Sequence, residues 1–422
     1  MADQRGGKGK GSEGEEWVDN ECVLMHKDGK LEVLRSRLQL AEMEPGSVLL
    51  RTELAEVCGT DVHLLHGRLD LVPYPIIPGH VGVGRVHAAV GPVCDVASVP
   101  VVEGDMVTFL DVLDTCNSCI TCLVDKQSTR CPHRRVLGIT CLANAYEVTG
   151  LLGCWSSFIY LPPKTKIIRL PATLSPKVFM GGGCGLPTAL HAVDRANIRL
   201  MDRVVVQGSG PVGLLAAILA RSSGAGQVIV TGAPAHRLEV VKAFGIDDVI
   251  NIQEVTSPSE RQKKVEELTD GRLADVVIEA TGRPEAVAEG LTFCRNGGTY
   301  VVVGQYTDNG DVSINPHHLI NRKHIVMKGC WGSDFSHFYR GVQFMAKHAD
   351  LPWHLVVSKV SDLKNARQAL ESVERLEVFK ALIQPEFPPK EDSAVGKIGS
   401  RKGFKLAGSR EGFRIPDTVQ WA

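Results

Sequence analysis

The stretch Gly208-Ser209-Gly210-Pro211-Val212-Gly213 constrains this chain more than any other, because of what flanks it. Arg203 to Gln207, just ahead, is a buried-strand run, and Val212 to Ser222, just behind, is apolar at helical length. Glycines at such a junction let the chain turn tightly and let the backbone approach a pyrophosphate. They also let helix pack closely on strand, with the phosphate at the helix N-terminus. A lone G-x-G-x-x-G is a weak signal; between a strand and a helix it is a strong one.

The chain beyond the turn keeps the same rhythm. Strands are expected at Val228 to Thr231, near Val249, and at Ala274 to Ile278, Thr299 to Val303 and His324 to Lys328. Helical patterns lie between them, from His236 to Phe244, Ser259 to Leu268 and Pro284 to Phe293. Strands alternating with helices imply a parallel sheet covered on both faces. Further helices are expected near Phe335 to Ala346 and Leu363 to Leu376, then a strand over Val378 to Ile383. Upstream, Ser175 to Arg195 has one apolar helical pattern with Gly181-Gly182-Gly183-Cys184-Gly185 near its start.

The first part of the chain reads differently. From Glu21 to Leu161 the pattern is many short strands, with a turn at Lys27-Asp28-Gly29 and with Gly82 and Gly84 interrupting one strand as a barrel corner or bulge would. That describes a small antiparallel barrel. With 422 residues, 44% of them apolar, two domains are the expectation. A formal net charge of −1 gives no electrostatic reason to expect nucleic acid or an anionic membrane as partner. Residues 1 to 17 hold no apolar signal region, and the apolar run Val212 to Ala220 is too short to span a bilayer, so a cytoplasmic location is expected.

Metal chemistry is written into the barrel half. Cys116, Cys119, Cys122 and Cys131 crowd a polar stretch, and four thiolates so spaced can close a tetrahedral zinc shell with no open position. That role is structural. The hexapeptide Cys58-Gly59-Thr60-Asp61-Val62-His63 offers a thiolate and an imidazole that zinc favours, plus a hydroxyl able to hand on a proton. Gly79-His80 and Cys184 follow in order. Cys22, Cys94, Cys141, Cys154, Cys294 and Cys330 read as packed thiols, and His317-His318 as a solvated loop.

Together these residues resemble the zinc-dependent alcohol dehydrogenases of the medium-chain dehydrogenase/reductase superfamily, over about residues 20 to 385. The resemblance implies a co-chaperonin-like β-barrel catalytic domain (17–184 and 335–385) and a Rossmann doubly wound parallel-sheet cofactor domain (185–334). A disordered arm (1–16) and a flexible tail (386–422) flank them. It implies that Cys58, His80 and Cys184 hold a catalytic zinc and that Cys116, Cys119, Cys122 and Cys131 hold a structural one. Thr60 and His63 then match a proton relay, and Asp61 a carboxylate that orients the ligand histidine. Lys380 matches a basic residue near the pyrophosphate, beside Gly208, Gly210, Val212 and Gly213 in the turn, with a solvated lysine as the alternative. Leu69, Tyr74 and Trp155 are candidates for the substrate pocket, with a core role as the equal alternative for Trp155. The family's oligomers imply a homodimer or homotetramer, joined through the edge strand His324 to Lys328.

The chain departs from the family pattern in three places. Val81 stands where the family has Glu after the ligand histidine, and the last spacing of the cysteine lobe is one residue longer than the commonest form. The acid that binds a ribose 2′-hydroxyl and repels a 2′-phosphate is replaced by Gly232, with Arg237 as the available cation. A modest preference for NADP(H) over NAD(H) is therefore expected, and Gly232→Asp should shift it toward NADH. The sequence reading is hydride transfer between an alcohol or carbonyl compound and a nicotinamide cofactor. Two readings compete with it: a superfamily reductase of C=C bonds, and a catalytically silent structural or NADPH-responsive member, motivated by Val81.

Overall fold

A computed structural model describes residues 17–386. Two sheets organise them. One has six strands, all parallel, in the order Asp248–Asn251, Gln227–Gly232, Arg203–Gln207, Ala274–Glu279, Cys294–Val302, Val326–Gly329. Sequence order runs outward from Arg203–Gln207 in both directions, so the sheet has its switch point at that strand, where the glycine turn begins. Val204, Val205, Val206, Ile229, Val277 and Ile278 are fully buried, which is why these strands are continuous apolar runs rather than alternating ones. Each such side chain contributes about 1.5–3 kcal/mol relative to exposure. The helix Pro211–Ser222 is buried from Gly213 to Ala220, as expected for one lying on the sheet under the neighbouring helix Gly185–Ala196.

The other sheet has seven strands around the long Val48–Val57. Gly82–Ala89 and Phe158–Leu161 pair with that strand antiparallel, and the late strand Lys380–Ile383 closes on it from the far end of the sequence. The expected bulge is there: the register slips between Thr52 and Leu54, and a Cβ on Gly84 would come within 2.5 Å of the Arg51 carbonyl oxygen. Among the described residues no helix is long and apolar enough to cross a membrane.

Several expectations need correction. The single helix over Ser175 to Arg195 is two, Pro176–Gly182 and Gly185–Ala196, broken where Gly183 takes φ +48°. Any Cβ there would overlap the Glu56 carboxylate and lie 2.6 Å from Lys380 Nζ, so the break leaves room for buried charge. His317-His318 lies in a π-helical turn, His317–Asn321, although both histidines are exposed as expected. Cys94 is exposed rather than packed. The edge strand runs Val326–Gly329, with Val326 and Met327 exposed. The expected arm lies outside the described residues, as does the tail beyond residue 386.

Candidate active site

Cys58 leaves the strand Val48–Val57 and becomes the N-cap of the helix Gly59–Leu65. Asp61, in the first turn of that helix and fully buried, fixes the corner: its carboxylate accepts from Cys58 N at 2.9 Å and from Gly79 N at 3.2 Å. Burial raises the Asp61 pKa, and the two backbone donors oppose the rise. Both ligand-bearing loops, 58 and 79–80, are therefore tied to one carboxylate. This differs from the expected role. Asp61 holds backbone rather than the imidazole ring, and His80 Nδ1 is buried with no protein partner. Trp155 is likewise not a pocket residue. It is fully buried, donates Nε1 to Glu56 O at 2.9 Å, and fills the space a Cβ on Gly79 would need.

Cys184 arrives from the other side, as N-cap of Gly185–Ala196. Its N–H donates to Glu56 Oε2 at 2.6 Å, while Glu56 Oε1 accepts from Lys380 Nζ at 2.7 Å and Nζ also donates to Gly182 O at 3.1 Å. Glu56 and Lys380 are 2% and 1% exposed, a closed pair that grips both flanks of the Gly183 break. Lys380 is thus neither solvated nor free to reach a pyrophosphate; its charge is spent on Glu56. Sequence reasoning missed Glu56. The signal was a carboxylate inside the apolar run Leu54-Ala55-Glu56-Val57, two residues before a candidate ligand.

Cys58, His80 and Cys184 end with one donor atom each within 4.8 Å of the others. Hydrogen bonding between the two thiols raises the Cys58 pKa and lowers that of Cys184. Two sulfurs and an imidazole nitrogen at such separation, with a cleft on the open side, match the donor set of a zinc site that keeps a fourth position. The quartet Cys116, Cys119, Cys122 and Cys131 meets the same distance criterion, with Cys131 Sγ and Cys116 Sγ 3.6 Å apart. Four sulfurs suit a closed shell.

The trio lines a cleft of about 280 Å³ with Thr60, His63, Val81, Thr188 and Val212. Thr60 and His63 stand three apart on one helix and so share a face. His63 Nδ1 lies 3.5 Å from Thr307 Oγ1, and partial burial lowers its pKa below 6.5, with Arg68 and His66 adding to the effect. The shift favours the neutral ring. Thr307, Tyr306, Trp331 and Arg134 are site neighbours that sequence reasoning did not single out. Tyr74 is turned away, donating its hydroxyl to Leu64 O at 2.6 Å, and Leu69 lines an adjoining hollow.

At the glycine turn, Gly208 takes φ +112°, and a Cβ on Gly213 would run into the Gly208 carbonyl oxygen. Arg237 is buried beside the turn, its Nη1 3.8 Å from where a Cβ on Gly210 would be, its Nη2 donating to Val378 O at 2.8 Å. Its Nε has no partner, and burial lowers its pKa. Gly232 ends its strand against Ser209: a Cβ there would meet Ser209 Oγ at 2.5 Å and Ser209 N at 2.8 Å. Gly232→Asp is therefore a packing change as well as a charge change.

Comparison with known proteins gives the family. The alcohol dehydrogenase GroES-like domain family matches residues 44–172 and the zinc-binding dehydrogenase family matches residues 211–347. The chain is 34% identical over 342 residues to 5-exo-hydroxycamphor dehydrogenase of Pseudomonas putida, covering 80% of this chain and 92% of that protein. A crystal structure of an alcohol dehydrogenase from Thermotoga maritima superposes with a TM-score of 0.82 at 33% identity, covering 87% of this chain and all of that one. A zinc-binding dehydrogenase from Sinorhizobium meliloti, bound to NADP, gives a TM-score of 0.73 at 25% identity over 87% of this chain and 100% of that one. This chain belongs to the zinc-type alcohol dehydrogenases of the medium-chain dehydrogenase/reductase superfamily, a family of oxidoreductases.

Proposed function

We propose that the chain oxidises an alcohol or reduces the matching carbonyl compound with a nicotinamide cofactor, NADP(H) in preference to NAD(H), and holds two zinc ions. The observation that carries the reading is the convergence of Cys58, His80 and Cys184 on the floor of one cleft, with Thr60 and His63 lining the same cleft. Zinc at the trio would supply Lewis acidity, which makes a substrate hydroxyl easier to deprotonate near neutral pH. The rest belongs to the chain's own side chains. Thr60 accepts the hydroxyl proton, and neutral His63 takes it on toward solvent. Asp61 keeps the two ligand loops in register, and Glu56 with Lys380 keeps Cys184 at its post.

Domains divided as 17–184 with 335–385, and 185–334, put this cleft between a barrel and the nucleotide-binding sheet. The cofactor preference rests on the missing acid at Gly232 and on Arg237 beside the turn; the NADP bound by the Sinorhizobium meliloti relative fits it. Its amplitude is modest, because Arg237 already gives one N–H to Val378 O. The exposed edge Val326–Gly329 fits pairing of two chains into a homodimer or homotetramer. One experiment tests the core of the reading: metal analysis of the purified chain together with a panel of alcohols and carbonyl compounds followed by cofactor absorbance. Two zincs per chain and turnover of a panel member are expected. A chain lacking zinc, with no turnover, would overturn it.

A further inference from the structure

The cleft does not stop at the reacting end. Arg134, Val136, Ile139, Tyr306 and Trp331 line both the cleft and a second hollow, of about 290 Å³, beside the cysteine quartet. Two guanidinium groups meet on one ring there. Arg130 lies 4.8 Å and Arg134 5.6 Å from the Trp331 centroid. Tyr306 stacks on Trp331 at 5.7 Å, and Trp331 Nε1 donates to Tyr306 O at 3.1 Å, so the platform under the arginines is held in place. Both arginines flank Cys131, in turns closed by Arg130 N to Gln127 O and Arg134 N to Cys131 O.

A guanidinium in such a place usually meets a carboxylate. Asp111 lines the cleft and Asp70 the hollow, yet among the described residues neither Arg130 nor Arg134 has an ion pair. Arg134 Nε is buried and has no hydrogen-bond partner. A buried charged donor left open is costly unless a ligand meets it. The cofactor is poorly placed to be that ligand. Val212, Ala280 and Thr281, on the glycine-turn side, line the cleft but not the hollow, whereas Arg134 lines both and Arg130 the hollow alone.

We infer that the substrate is an anionic alcohol or carbonyl compound, carrying a carboxylate or phosphate that Arg134 binds while its hydroxyl end lies at Thr60 and the ligand trio. Arg130, on the same ring, reinforces the positive field. This deepens the proposed function and rests on it.

The test uses the full zinc-loaded chain and three matched series: neutral primary alkanols, ω-hydroxycarboxylates of the same length, and phosphate monoesters of the corresponding diols. One anionic series should exceed the neutral one by about tenfold or more in kcat/KM, and which series does so distinguishes carboxylate from phosphate. Arg134→Gln should bring the anionic-to-neutral ratio close to one, mainly through KM, and Arg134→Lys should restore part of it. A parent ratio at or below one, or a ratio unchanged in Arg134→Gln, overturns the inference and leaves the proposed function standing. Failure to oxidise any member counts against the proposed function instead. The anion site is then judged by calorimetric titration with succinate and with inorganic phosphate. Binding weakened about tenfold by Arg134→Gln supports it; equal binding to both proteins overturns it.

Discussion

The two sulfur-rich clusters solve one problem in opposite ways. The quartet takes all its donors from a short stretch, Cys116 to Cys131, closed by local turns such as Cys122 N to Cys119 O. The trio draws Cys58, His80 and Cys184 from three separate elements, and needs Asp61, Glu56 and Lys380 to bring them together. A local cluster can organise its own loop. A dispersed one depends on the whole fold and can be tuned by residues far away in sequence.

The sharpest way to break that contrast is to remove a donor from the trio. Cys58→Ser should lower turnover by about a thousandfold or more while the quartet keeps its zinc and circular dichroism is unchanged. Near-parental activity with only one zinc bound would refute the assignment. Next in size is the buried ion pair. Lys380→Met leaves Glu56 charged and unpaired, and should cost about 3–5 kcal/mol in urea denaturation. The companion Glu56→Gln/Lys380→Met should recover much of that loss, yet hold zinc at the trio less firmly against a chelator, because Cys184 N loses its charged acceptor. A single mutant as stable as the parent would show that the pair does not hold the turn.

The quartet should fail differently. Cys119→Ser should lower the melting temperature by several degrees and release one zinc, with the remaining zinc still supporting turnover per folded molecule. Loss of both metals together would show that the clusters are not independent.

How much of this could be read beforehand follows the same divide. The quartet was legible from spacing alone, and the glycine turn from its place between a strand and a helix. The trio was legible only as an ordered pattern matched to a family, since nothing local joins Cys58 to Cys184. Glu56 and Lys380 could not be paired from sequence, because strand Lys380–Ile383 returns to Val48–Val57 only after the other sheet is complete. The broken helix at Gly183 was hidden for the same reason: the steric demand comes from Glu56, not from its own neighbours. Arg134 carries no signal of its own in the sequence, because the ring it lies over, Trp331, comes from far along the chain.

Smaller effects probe the relay and the cofactor end. Burial lowers the His63 pKa, so the fold favours neutral imidazole, and acidification removes the proton acceptor only below 6.5. The acid limb of kcat/KM for alcohol oxidation should fall below 6.5 in the parent, and His63→Gln should flatten it; a limb unmoved by that change would remove His63 from the path. Arg237→Gln should narrow the NADPH-to-NADH ratio of kcat/KM by about threefold to tenfold. An unchanged ratio would take Arg237 out of cofactor choice.

The contact between Gly232 and Ser209 has a consequence for descent. An acid at residue 232 is a single substitution in sequence but not in space, because its Cβ would meet both the Ser209 side chain and its backbone nitrogen. Trimming residue 209 would relieve the side-chain contact but leave its backbone nitrogen in the way, so the glycine turn itself would have to shift. Residue 232 is thus constrained by the turn it packs against, whichever dinucleotide the chain binds.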